Sequence, residues 1–235
     1  LKKQGSTYGI FISVLADTAD ISGSRIDELL GEFQKENGFT DDDMAGLKND
    51  DLEQIVPIFA FSSKSYVTDI CRLALANIER FVTSDFYIER IRHISQLEYR
   101  CLAGQKLDGD LDVIIGFAAK NDDQAIIDIA SGFSGSEIHS LGIEVYDAVG
   151  EFTNCISGLF ATALSKKGHK VEINPQFSYE NQFAKGEAYV LPIHIHDSEV
   201  LLYISASDDT KPGDMPVVRK ILAKAGGEVT LESKG

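Results

Sequence analysis

The chain has 235 residues, 43% of them hydrophobic, with 22 basic against 37 acidic side chains, a net charge of −15 and a pI near 4.7. That is ample apolar material for a core, in one large domain or two small ones. The negative charge argues against nucleic acid and anionic membrane surfaces and favours a basic patch on a partner. No run approaches the roughly 18 apolar residues of a membrane-spanning helix. After Leu1-Lys2-Lys3-Gln4-Gly5 the apolar segment is too short and interrupted for a signal peptide, so the expected location is the cytoplasm. Cys71, Cys101 and Cys155 are odd in number, far apart and set in apolar periodic segments, which reads as reduced core thiols.

Residues 1–60 read as an acidic, mainly helical extension, with a possible strand at Gly9–Leu15. A helix is expected over Ser24–Lys35, capped by Ser22 or Ser24 and stopped by Asn37-Gly38. Thr40-Asp41-Asp42-Asp43 has capping-box character ahead of Met44–Leu47, and Pro57 interrupts the apolar run Ile55–Phe61.

Residues 61–207 carry the main domain. Val67, Ile70, Cys71, Ala74, Ile78, Phe81 and Val82 follow helical spacing and predict an amphipathic helix over Ser65–Val82. Strands are expected at Phe86–Ile94, Leu97–Lys106 and Leu111–Ala119, rich in β-branched and aromatic residues, with Asp108-Gly109 turning the last pair. A short helix at Asp123–Ser131 and the glycine-bearing Ser131–Gly135 lead into a long helix at Ile143–Leu164. Three more strands follow at Lys170–Tyr179, Ala188–His196 and Glu199–Ser205, with Asp197-Ser198 as the last turn. The order is an internal near-repeat of α-β-β-β. It predicts an α+β fold in which two long helices pack on one face of an antiparallel six-stranded sheet.

Residues 208–235 read as a flexible link through Lys211-Pro212-Gly213 and a short amphipathic helix at Val217–Ala225, with Pro216 at its first turn. The run from Val200 to Thr230 has the cadence of a receiver-domain start, but no second acidic strand or switch lysine follows it.

The candidate site lies on the long helix. Asp147, Glu151, Asn154 and Gly158 are spaced 4, 3 and 4 residues apart and form one polar stripe on a helix otherwise occupied by Val149, Phe152, Ile156, Leu159, Phe160 and Ala163. Asp and Asn are poor helix formers, and Gly150 and Gly158 each cost about 1 kcal/mol against Ala, so local stability did not select them. Glycine beside a carboxylate and an amide lets another surface come close. Other signals are weaker. His194 and His196 with Asp197 form an H-x-H pair whose rings share a strand face, but a third ligand is not evident, and structural histidines are the better reading. Cys155 lacks a local His or Lys to activate it. Gly132-x2-Gly135 lacks the spacing and lysine of a phosphate loop.

With that element order, Asp147-x3-Glu151-x2-Asn154, followed some twenty residues later by Pro175, resembles the signature of the CheC/CheX/FliY chemotaxis phosphatases, across roughly residues 63–206. The resemblance implies hydrolysis of the aspartyl phosphate of a response-regulator receiver domain. Asn154 would lie beside the acyl phosphate and orient the attacking water, and Glu151 would hold a receiver lysine. Asp147, Gly150 and Gly158 would meet the partner. It implies no metal or cofactor in this chain, with Mg2+ belonging to the receiver, and it includes homodimers. The first long helix has Asp69 and Asn77 but no Glu four residues after Asp69 and no Asn at the matching step, so one site is expected. The alternative is a non-catalytic module that uses the same helix to bind a receiver or to dimerise.

Overall fold

The computed structural model describes residues 22–49, 51–205 and 210–213. The strand expected at Gly9–Leu15 and the helix expected at Val217–Ala225 lie outside the described residues.

Among the described residues three helices come first. In α1 (Gly23–Asn37) the Ser22 hydroxyl accepts from the Arg25 N–H, and Gly38 ends the helix at φ 66°, a left-handed conformation that glycine adopts at little cost. In α2 (Asp41–Lys48) Thr40 and Asp43 make the reciprocal capping box. The third, α3 (Leu52–Phe59), runs through Pro57 rather than stopping there. The proline lies near the helix end, so the hydrogen bond it removes is one of few left to make. Val56 and Ala60 are fully buried in the main core, Ala60 accepts from the Thr68 hydroxyl, and Phe59 accepts from the Ile91 N–H. A boundary at residue 60 therefore cuts through packed structure.

Two long helices follow as the periodicity predicts. The first, α4 (Ser65–Phe81), buries Val67, Ile70, Cys71, Ala74, Leu75 and Ile78. The second is α6 (Ile143–Lys166), and α5 (Gln124–Ser134) packs against both helices and against the sheet. Phe152 of α6 lies at the junction, its ring 5.5 Å from Phe117 of the sheet and 5.4 Å from Phe133 of α5.

The six strands are β1 (Phe86–Ile88), β2 (Arg92–Gly109), β3 (Val113–Ala119), β4 (Val171–Ile173), β5 (Phe177–Ile195) and β6 (Ser198–Ser205), all antiparallel in the order β1-β5-β6-β3-β2-β4. Exchanging the first three strands for the last three reverses this order onto itself. The α-β-β-β near-repeat is thus a pseudo-twofold fold. The second half runs 85 residues behind the first, both at the helix ends (Phe81, Lys166) and at the strands that follow (Phe86, Val171).

Strand boundaries differ from expectation because β2 and β5 are long and also pair with each other, Arg92–Gly104 against Phe177–Val190. That pairing closes β5, β6, β3 and β2 into a ring. The buried side of each strand changes phase where they bend. Cys101 and Ala103 face the helices, whereas Leu97 and Tyr99, of the same parity, join Leu102 in a second core. On β5 Asn181, at φ 51°, lies between Tyr179 and Ala184, which enter that second core with opposite parity. Gly104 sits directly opposite Gly116, and a Cβ there would come 2.6 Å from the Ile115 carbonyl, so only glycine allows this approach. Lys211-Pro212-Gly213 is tied down rather than loose: Lys211 pairs with Lys185, and Pro212 accepts from the Tyr99 hydroxyl.

The two outer strands, β1 and β4, are three residues each. Short outer strands and the closed ring leave no long unpaired edge among the described residues.

Candidate functional site

The long helix α6 orients its stripe as the spacing predicts. Phe152, Ile156 and Phe160 are buried, Asp147 and Glu151 are exposed, and Asn154 and Gly158 are half-buried at the border. A Cβ on Gly158 would meet nothing within 4 Å, so this part of the helix is open to an approaching surface. Gly150 is different. It is buried, and a Cβ there would lie 2.4 Å from Oε1 of Gln176, so the space at Gly150 is filled by the chain itself rather than left for a partner. Cys155 also departs from expectation. It is exposed, beside Asn154 and one turn beyond Glu151, because the apolar residues around this helix do not encircle it. The other two thiols are buried, and burial pushes both up to about 12.

Two polar groups of the stripe, Asn154 and Glu151, are tied to the loop after β4, the first of them through Gln105 of β2. Asn174 precedes Pro175, which biases it toward extended backbone, and its N–H donates to the Lys106 carbonyl, so the loop start is fastened to β2. Its carbonyl accepts from Nε2 of Gln105 at 2.7 Å, and the same Nε2 donates to Oδ1 of Asn154 at 3.2 Å. Two residues on, Nε2 of Gln176 donates to Oε1 of Glu151 at 3.0 Å. Asn174 also donates through its side chain to Asp108, which pairs with Lys106. The Lys106 ammonium and the Asn174 amide hold the Asp108 carboxyl below the usual carboxylate range.

Gln105, Asn174 and Gln176 were not singled out in the sequence. Gln105 had a signal, since Cys101, Ala103, Gln105 and Leu107 alternate into the core and Gln105 is the polar member. The loop residues had only the neighbouring Pro175, because their contacts span 25 to 69 residues.

The matching helix of the first half does not repeat the arrangement. At the 85-residue offset Tyr66 stands for Glu151 and Asp69 for Asn154. Asp69 is engaged by Arg72 and Lys167, and the Tyr66 hydroxyl donates to the Ser205 carbonyl. Among the described residues the constellation occurs on α6.

The histidines separate. His196 lies in the β5–β6 turn at φ 53°, with its ring on Asp128 of α5. His194 is stacked on Tyr87 and bonded to Glu89 at 2.9 Å. Among the described residues Glu89, His194 and Glu199 bring ligand atoms within 4.8 Å of one another, and Arg92 also pairs with Glu89. No described helix is long and apolar enough to cross a membrane.

A family model for CheC-like proteins matches residues 144–175, which is α6 and the loop through Pro175 that fastens it. The fold is also that of solved chemotaxis proteins. CheX from Desulfovibrio desulfuricans is similar at 15% identity with a TM-score of 0.50, over 60% of this chain and 98% of that one. A CheC-like superfamily protein from Shewanella sp. PV-4 is similar at 14% identity and a TM-score of 0.51, over 61% and 97%. CheX from Vibrio vulnificus gives 14% and 0.51, over 60% and 99%. No curated protein matches the sequence. The resemblance read from the sequence thus holds, and the fold is CheC/CheX-like.

Proposed function

We propose that this protein hydrolyses the aspartyl phosphate of a response-regulator receiver domain, with Asn154 and Glu151 as the working residues. The observation that carries the reading is the state of the Asn154 amide. Its carbonyl oxygen is held by Gln105, which leaves the amide NH2 as the group offered at the helix surface, beside a carboxylate and an open glycine.

An acyl phosphate is already activated, so placing one water in line with the phosphorus is the main service a second protein can provide. The Asn154 amide orients that water beside the phosphoryl group. As the water oxygen bonds to phosphorus, the bond to the receiver carboxylate breaks and inorganic phosphate leaves. Mg2+ belongs to the receiver. Glu151, with one oxygen on Gln176, directs the other to a receiver lysine, and Asp147 adds negative charge on the docking side. The open face at Gly158 admits the receiver surface. The chain's net charge of −15 suits a partner with a basic patch.

Phosphate release from a panel of phosphorylated receivers, with and without the protein, tests the reading. Acceleration for at least one receiver supports it. Binding to a phosphorylated receiver with unchanged phosphate lifetime would establish the non-catalytic binding module instead.

A further inference from the structure

Position 105 should be apolar. It points into the core between Ala103 and Leu107, it is 4% exposed, and its Oε1 is buried with no hydrogen-bond partner among the described residues. A buried acceptor left unpaired is destabilising, a cost that Met or Leu would not incur. Fold stability therefore does not account for this glutamine.

Donor and acceptor logic shows what it does. The Asn174 main-chain oxygen can only accept, so the Gln105 atom 2.7 Å from it must be the amide nitrogen. That nitrogen has a second hydrogen, directed at the Asn154 side chain 3.2 Å away, and the atom that receives it must be Oδ1. The orientation of the Asn154 amide is thus set by a chain of bonds ending at a main-chain carbonyl, itself fastened by the Asn174 N–H to Lys106. An asparagine without such a tether is free to turn by half a rotation and present its oxygen, an acceptor, where a donor is required.

We propose that Gln105 is a positioning residue for the reaction, selecting the amide rotamer in which Asn154 presents Nδ2 at the α6 surface. The inference rests on the phosphatase reading for its consequence and on geometry for the tether. The pseudo-equivalent site shows the contrast: the 85-residue strand offset, shifted by one at the β1 and β4 pairings, puts buried Leu191 where Gln105 stands, and Asp69 where Asn154 stands. The site without the amide also lacks the glutamine.

The test is a double-mutant cycle on a receiver that the wild type dephosphorylates, with turnover and half-saturation measured separately. Gln105→Met keeps the length and removes the donor. It should lower kcat about tenfold with KM unchanged, since a positioning group acts on the chemical step. In an Asn154→Ala background it should cost nothing further, because its route to the reaction is gone. Wild-type kcat for Gln105→Met, or an equal further loss in the Asn154→Ala background, would overturn the proposal. The tether is also read without any receiver, by side-chain amide hydrogen exchange in the full chain. The Gln105 amide protons should be protected and those of Asn154 open to solvent. Gln105→Glu, which loses the donor, should turn Asn154 and protect one of its protons. Unprotected Gln105 protons in the wild type would sink the inference even if the enzyme is active. Protected Gln105 protons in a protein that releases no phosphate would sink the phosphatase reading and leave the tether standing.

Discussion

Gln176 occupies the space a side chain at position 150 would take: a Cβ on Gly150 would come 2.4 Å from its Oε1, while its Nε2 donates to Glu151 at 3.0 Å. One glycine thus serves the neighbouring carboxylate, because the loop residue that steadies Glu151 reaches it only across a bare stretch of helix.

Gly150→Ala should therefore separate stability from binding. Alanine is favoured over glycine inside a helix by about 1 kcal/mol, and the atoms in its way belong to the far end of a flexible side chain. Thermal unfolding should show a Tm equal to or above that of the wild type. Gln176 must swing aside, which frees Glu151, so receiver binding should weaken several-fold. Unchanged binding would mean that Gln176 does not set the Glu151 carboxylate.

Phe152→Ala addresses the platform beneath the stripe. The ring is fully buried between Phe117 and Phe133, and its loss leaves a cavity at the junction of sheet, α5 and α6. Denaturant unfolding should show a loss of about 3–5 kcal/mol. A loss below about 1 kcal/mol would contradict the packing described.

Thiol chemistry distinguishes the three cysteines. Cys71 and Cys101 are buried and their thiols are raised to about 12, whereas Cys155 is exposed. At neutral pH a thiol reagent should modify Cys155 in the folded protein and the other two only after unfolding. A bulky adduct on Cys155, four residues beyond Glu151 and next to Asn154, should also block action on a receiver. Equal labelling of all three in the native state would contradict the burial.

Much of this was legible in the sequence where one periodicity governs a whole element. The helices α4 and α6 bury one face each, so Val67, Ile70 and Ala74, or Val149, Phe152 and Ile156, betray them, and the stripe of Asp147, Glu151 and Asn154 follows from the same geometry. The long strands were not legible because the alternation fails inside them. A register shift between Ile94 and Gln96 and the phase change near Arg100 and Asn181 make each look like two shorter pieces. Cys155 was misplaced because Leu159, apolar but 48% exposed, made the helix look greasy on more sides than it is. The clamps on the site were hidden for another reason. Gln105 and Gln176 act across the fold, and nothing local to either residue announces a partner 49 or 25 positions away.

The phosphate lifetime of a cognate receiver, measured with wild type, Asn154→Ala and Glu151→Ala, tests the account at its centre. The wild type should shorten it. Asn154→Ala should lose on the order of 10²-fold in rate at saturation while still binding, because the amide positions water and does not anchor the complex. Glu151→Ala should bind more weakly and with altered salt sensitivity, having lost a charged contact to the receiver lysine. All three proteins should fold alike, since Glu151 is exposed and Asn154 lies at the border of the core. Equal activity of wild type and Asn154→Ala would contradict the role given to this amide, and a receiver that binds the wild type but keeps its phosphate lifetime would contradict the catalytic function itself.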